Sequence, residues 1–369
     1  MTLASIRNIG TFASVALLAA CSSAQPGSEA EGAETTGTVQ SALDSDVTFP
    51  VAIRGTGTAT IHAHVYLNPA AGAGATVLAV PGLSETATIY GPLAQAIFAD
   101  RALGRVVKRI VSIDFPGLGA SSFPAGLPAG VNYGDLLIDD NVGVVVQAIG
   151  ALKQLGLGAS VAIGHSMGGL EIQGVQAALL ANGSSLAAHG IVGAALLAPV
   201  PPHAQQWSYV ANPSALASFI VTDPTLGSYV AIPPAVFIPL AFSTPSGQVV
   251  PDAPTAAQVA AAGYVGPEPL AVETQLVEAP VPLPDGGSFV IPRPTVPAKA
   301  LALGHGTVTS VVSFAQDTLV PAGDLKPLYE YLTGDTHDVL YREVSTSDAV
   351  HEMLVSNPTA LLDALRPMF

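Results

Sequence analysis

Residues 161–170 read VAIGHSMGGL, a serine set among glycines between two apolar runs. A chain with this stretch must end a strand, turn sharply and start a helix within a few residues. Gly164 and Gly168 flank Ser166 where a Cβ would clash, and Gly169 lets the following helix pack close. Ser166 itself must take a strained backbone conformation. Strand, tight turn and helix in this order belong to a parallel sheet.

The rest of the chain keeps that rhythm from about residue 50 onward. "TATIHAHVYLNP" (58–69) alternates as a strand of an antiparallel opening. Apolar strands are expected at 75–82, 107–117, 160–164, 191–199, 308–317 and 339–345. Helical spacing falls near 88–102, 133–155, 167–182, 322–332 and 352–369. The expectation is an α/β fold with a mainly parallel central sheet and helices on both faces. Residues 199–297 break the pattern: they hold 19 of the 31 prolines, so no long helix can run there. This region, about 200–300, reads as an insertion between two core strands. Its apolar run 229–242 is interrupted by Pro233, Pro234 and Pro239. That excludes a membrane span and leaves a lid or a packed satellite.

Ligands of a parallel sheet bind beyond the carboxyl ends of its strands, and Ser166 sits at such an end. Gly-x-Ser-x-Gly between strand and helix is the nucleophile elbow. A serine hydroxyl needs a base to take its proton, commonly a histidine held by a carboxylate. The sheet-edge argument sorts the eight histidines. His189, His305 and His337 precede strands and lie at the wrong edge. The i, i+2 spacing of His62 and His64 could place them on one strand face as metal ligands, but solvated strand residues are the expectation. His165 must point away from Ser166. His203 and His351 both follow strands at the correct edge.

In this context "GHSMGG" resembles serine esterases and lipases of the α/β-hydrolase superfamily, over roughly residues 50–369. The resemblance implies that His351, after the last strand, is the base, and that Asp317, after the strand following the insertion, is the acid. The order Ser166, Asp317, His351 is the one this fold uses. Asp348 reads as a loop carboxylate, while Glu268 and Glu273 are weaker rivals for the acid. Two backbone N–H groups should form an oxyanion hole: Met167, after the nucleophile, and Leu83 in "VPGLSE", with Gly82 the alternative. His203 is expected to line the pocket or the lid. "IDFPGLGASS" (113–122) resembles a turn of the same superfamily, in which Asp114, Gly117 and Gly119 shape a loop beside the site.

The first 21 residues read as a targeting segment, with Arg7 ahead of the short apolar run 9–20. Leu18-Ala19-Ala20-Cys21 resembles the lipobox of bacterial lipoproteins, which implies acylation of Cys21, the single cysteine. Ser22 in the next position favours an outer-membrane anchor; an ordinary secretory signal is the alternative. Residues 22–46 are polar and acidic, as in a flexible tether, with the catalytic domain spanning 47–369. A net charge of −15 with only 11% charged residues argues against nucleic acid and against electrostatic attraction to anionic lipid. It fits a neutral substrate or an acidic product, and it also keeps an apolar-rich chain dispersed. No metal or organic cofactor is implied, because no compact ligand cluster or glycine-rich phosphate loop is present.

These features lead to a carboxylic-ester hydrolase, an esterase or lipase acting on a neutral, apolar ester. Acyl transfer, thioester or amide hydrolysis and perhydrolysis would use the same groups. A surface lipoprotein that binds without catalysis is the rival from another class.

Overall fold

The computed structural model describes residues 44–208, 218–282, 288–296, 306–333 and 339–369. Cys21, His305 and His337 lie outside the described residues, as do the targeting segment and nearly all of the tether.

The first six strands are β1 (Ser45–Ile53), β2 (Gly57–Leu67), β3 (Ala75–Val80), β4 (Val107–Ile113), β5 (Val161–His165) and β6 (Gly193–Leu197). The insertion carries β7 (Ile220–Asp223), β8 (Gly227–Val230) and β9 (Glu268–Pro269), which form a small sheet. Its β10 (Pro280–Pro282) and β11 (Ser288–Val290) pair separately. β12 (Val308–Phe314) and β13 (Val339–Val344) complete the central sheet. Its order is β1-β2-β4-β3-β5-β6-β12-β13. From β4 to β13 every pairing is parallel, and β2 is antiparallel to both neighbours. Every residue of β5 and β6 is buried, as a strand covered on both faces requires.

Right-handed crossovers decide which face each helix covers. The chain leaves β3 through α1 (Gly91–Ala99) and α2 (Leu103–Val106) and returns as β4 on one side. It then passes through α3 (Ile138–Gln154) to β5 and through α4 (Met167–Ala181) to β6, moving the opposite way. α3 and α4 therefore share the face opposite α1, and they pack on each other. α1 packs instead with the C-terminal turns that begin at Met353.

Several elements are shorter than periodicity implies. The stretch 88–102 breaks at Asp100, whose carboxylate accepts the N–H groups of Ala102 and Leu103 and starts a new helix. The closing helix expected over 352–369 is instead a chain of short turns, interrupted at Pro358 and Pro367. Ser45 and Asp46, at the end of the expected tether, already belong to β1. There Phe49, Val51 and Ile53 are buried and alternate with exposed residues, as on an edge strand with one face on the core.

The insertion leaves β6 and returns as β12, although these strands are hydrogen-bonded neighbours. It contains the helices Pro234–Ala241, Ala256–Ala262 and Leu270–Leu276, the first with Pro239 inside it. Phe237, Ala241 and Phe242 form a second small core with Val250, Val259 and Val350. Val350 belongs to the loop after β13, so the insertion packs directly on that loop. The N–H of Glu352 also donates to the carbonyl of Ala241 at 3.0 Å. Among the described residues, no helix is long and apolar enough to cross a membrane.

Candidate active site

The strand register aligns the carboxyl ends: Val80 pairs with Gly164, His165 with Leu197, and Phe314 with Val344. Loops after β3, β5, β12 and β13 therefore open on one rim of the sheet. They carry Gly82 and Leu83, Ser166, Asp317, and His351 respectively.

Ser166 occupies the turn with φ +52° and ψ −120°, a region costly for any residue with a side chain. Its N–H donates to the Leu197 carbonyl at 2.9 Å, and its carbonyl accepts from Val200 and Gly169 at 3.0 Å each. These bonds hold the strained residue in place. A methyl group at Gly164 would overlap the main chain of Gly168, and one at Gly168 would overlap the carbonyls of Val80 and Pro81. The elbow thus sits hard against the end of β3.

Asp317 and His351 meet across the rim. His351 Nδ1 lies 2.8 Å from Asp317 Oδ2. Asp317 Oδ1 accepts the N–H groups of Leu319 and Val320, both at 2.8 Å. An ionised carboxylate only accepts, so Nδ1 of His351 carries the hydrogen and Nε2 is left as the basic nitrogen. Both residues are buried. Asp348, in the same loop as His351, accepts from Asn357 Nδ2 at 2.8 Å instead.

Ser166 and His351 line one cavity of about 100 Å³. Leu83, Trp207 and Val320 share its wall, and the insertion supplies Ile232, Phe237 and Leu240. The lining is mostly apolar, with three carboxyl side chains, Glu85, Glu273 and Glu352. The loop after β3 uses most of its own donors. Gly82 N–H donates to Glu85 Oε2 at 2.6 Å, Ser84 N–H to Glu268 Oε2 at 2.8 Å, and Glu85 N–H to the Gly82 carbonyl at 3.2 Å. Among the described residues no acceptor pairs with the N–H of Leu83 or of Met167. The N–H of Gly82 is thus engaged by Glu85, whereas that of Leu83, the other candidate, is not paired.

Glu268 and Glu273 do not reach His351. Burial pushes Glu268 up to about 8 against the Ser84 N–H, with Glu273 and Glu85 adding to the rise. Burial alone pushes Glu273 up to about 7. Both behave as weak acids of an apolar interior, not as the fixed anion that would orient an imidazole.

His203 departs from the expectation. It is partly exposed, its Nδ1 lies 2.8 Å from Glu278 Oε1, and it is absent from the cavity lining. A partner supplied by the insertion draws the ring away from the rim it follows in sequence. Asp114 does shape its loop: its carboxylate accepts the N–H groups of Ala87 at 2.5 Å and Ala120 at 3.0 Å. Gly117 and Gly119 take positive φ there, and a Cβ on Gly119 would overlap the Asp114 carboxylate.

Sequence reasoning missed the group beneath the site. His165 Nδ1 lies 2.9 Å from Glu85 Oε1, and Glu352 stands beside them, wholly buried. Burial opposes charge on His165, but Glu85, the His351 carbonyl and Asp317 outweigh it and raise its pKa. Burial and the Glu85 charge hold Glu352 far above the usual carboxylate range. Glu85 and Glu352 thus form a carboxylate–carboxylic acid pair. The edge argument that sorts histidines would have found Glu85 and Glu352 had it been applied to carboxylates. His165, His351 and Glu352 bring possible ligand atoms within 4.8 Å of one another. Carboxylates already hold both Nδ1 atoms, and His165 Nε2 is turned to a backbone carbonyl, so the group is not disposed as a metal centre.

The sequence pattern of the Alpha/beta hydrolase family matches residues 77–362. A search of curated proteins finds no match. Among solved structures, a hydrolase from Pseudomonas aeruginosa is 17% identical with a TM-score of 0.53, covering 87% of this chain and 97% of its own. The esterase domain of a Rhodothermus marinus protein is 14% identical with a TM-score of 0.47, covering 88% and 96%. A thioesterase domain from the curacin biosynthetic pathway is 14% identical with a TM-score of 0.49, covering 88% and 99%.

Proposed function

Because this chain belongs to the alpha/beta hydrolase family, we propose that it is a serine carboxylic-ester hydrolase working through Ser166, His351 and Asp317. The observation that carries this reading is the 2.8 Å contact between His351 and Asp317 on a cavity that Ser166 also lines. Ser166 attacks the ester carbonyl while His351 Nε2 takes its proton. Asp317 holds the proton on Nδ1 and stabilises the imidazolium that forms. The N–H groups of Leu83 and Met167 stabilise the tetrahedral oxyanion. His351 then protonates the departing alcohol, and water, activated by the same imidazole, releases the acid and restores Ser166.

The apolar wall suits an ester with an apolar part. A cavity of about 100 Å³ holds only a few water-sized groups, so it suits short chains better than long acyl tails. A fluorophosphonate probe should label Ser166, and rates over a p-nitrophenyl ester series should peak at short acyl groups. Failure to label under conditions that label a control esterase would overturn the catalytic assignment. An optimum at long chains would leave the chemistry standing and overturn the size argument. We further infer an envelope location through acylation of Cys21. Metabolic labelling with a fatty acid tests this, and Cys21→Ser should abolish the label.

A further inference from the structure

We propose that Asp46, His62 and His64 form a binding site for one divalent transition-metal ion of the zinc type, at the edge of the sheet and separate from Ser166. His62 and His64 lie two residues apart on β2, and therefore on one face. The antiparallel register sets Asp46 of β1 directly opposite His64. Asp46 Oδ1 lies 3.0 Å from His62 Nε2 and 2.8 Å from His64 Nδ1. Three potential ligand atoms from two paired strands converge on one point.

The nitrogen of His62 that faces away is also occupied in the manner of a metal site. His62 Nδ1 lies 2.7 Å from Oδ2 of the buried Asp114, while His64 Nε2, 3.9 Å from Asp44 Oδ2, is too far for a hydrogen bond to it. The carboxylate of Asp114 only accepts, so it fixes the hydrogen of His62 on Nδ1. In the neutral ring, Nε2 then presents a lone pair to another carboxylate oxygen, which repels it. Only a cation between them makes the arrangement favourable: a second proton or a metal ion. Carboxylate behind imidazole, with the far nitrogen on the ion, is the outer arrangement of protein metal sites. The Asp46 side chain is 60% exposed and gives an ion a way in.

Two imidazoles and one carboxylate, with further positions open to water, suit Zn²⁺ better than Ca²⁺ or Mg²⁺, which prefer oxygen ligands. A bound ion would join β1, β2 and the Asp114 loop, whose carboxylate also holds the N–H of Ala87. This inference is independent of the esterase reading.

The test is calorimetric titration of the chelator-treated full chain with Zn²⁺, alongside Mg²⁺. The expected result is one saturable Zn²⁺ site per chain, no comparable Mg²⁺ site, and a higher melting temperature with Zn²⁺. His64→Ala, on β2, and Asp46→Asn, on the edge strand β1, should each weaken binding by about tenfold or more. Circular dichroism on both variants reports whether they fold, and a folded variant of either kind suffices for the comparison. Absence of saturable Zn²⁺ binding would overturn the proposal. So would a Zn²⁺ site of unchanged affinity in the folded variants, because the ion would then lie elsewhere.

Discussion

The imidazole Nε2 of His165 lies 3.0 Å from the carbonyl oxygen of His351. The same ring meets Glu85 through Nδ1, and Glu85 in turn accepts the N–H of Gly82 at 2.6 Å. A single buried chain of contacts thus runs from the loop carrying Leu83, beneath the elbow, to the loop carrying His351. With both ring nitrogens bonded to acceptors, His165 carries two hydrogens and a positive charge that Glu85 balances.

Glu85→Gln should uncouple these loops. The amide can still accept from Gly82 but no longer balances a charged His165. A misplacement on the order of 1 Å can cost about a hundredfold in rate. The expected outcome is a fall of about tenfold to a hundredfold in kcat with KM little changed, read from steady-state kinetics on a short p-nitrophenyl ester. A packing role alone would lower the melting temperature and leave kcat of the folded fraction intact.

Asp317→Asn should preserve the loop but present an N–H or a neutral oxygen to His351 Nδ1. Loss of the fixed tautomer in a Ser-His-Asp arrangement lowers kcat by about 10⁴. Kinetics should show that loss in kcat with substrate binding retained. An equally large loss on Asp348→Asn would reassign the acid, since Asp348 contacts Asn357.

Much of this site can be read in the sequence, for a definite reason. An elbow serine needs glycines at fixed positions, and a parallel sheet directs attention to one edge; these single out Ser166 and narrow the histidines at that edge to His203 and His351, and the resemblance to the superfamily adds the choice of His351 and Asp317. Leu83 and Gly82 cannot be separated that way. The choice depends on Glu85 capturing the Gly82 N–H, and Glu85 is held in turn by His165 on a neighbouring strand's end. His203 shows the converse: its place after β6 suits the rim, but Glu278, 75 residues later, takes its ring. Helix boundaries at Asp100 and Pro358 were blurred because apolar spacing continues through a break that one capping side chain or one ring imposes.

Glu273→Gln should change how stability depends on pH. Burial raises this carboxyl from 4.5 to about 7 in the folded chain. Below about pH 4.5 the group is neutral in both states and has no linkage cost. Between the two values the unfolded chain ionises first, so stability falls as pH rises, and above about 7 the full cost applies. The interval corresponds to about 3 kcal/mol. Urea unfolding near pH ~5 should give similar stabilities for the two proteins, and near pH ~8 the variant should be the more stable. The wild type keeps its other buried acids, so the comparison between the proteins, not either slope alone, is decisive.

Two glycines give opposite outcomes. Gly168→Ala puts a methyl group against the carbonyls of Val80 and Pro81 and should destabilise by about 1–3 kcal/mol while abolishing turnover. Gly143→Ala, inside α3 with nothing within 4 Å of the new methyl group, should stabilise by about 0.5–1 kcal/mol. Thermal unfolding of both proteins checks the pair.

The contact of the insertion with the segment bearing His351 has a consequence for engineering. Phe237 and Phe242 share a core with Val350, and Ala241 receives the Glu352 N–H. A graft that replaces the 199–297 region to change selectivity would therefore also displace His351, the proposed base. Selectivity and turnover in this molecule do not behave as exchangeable cassettes. Libraries that diversify the insertion should hold Phe237, Ala241, Phe242 and that one backbone bond fixed, and vary Leu240 instead.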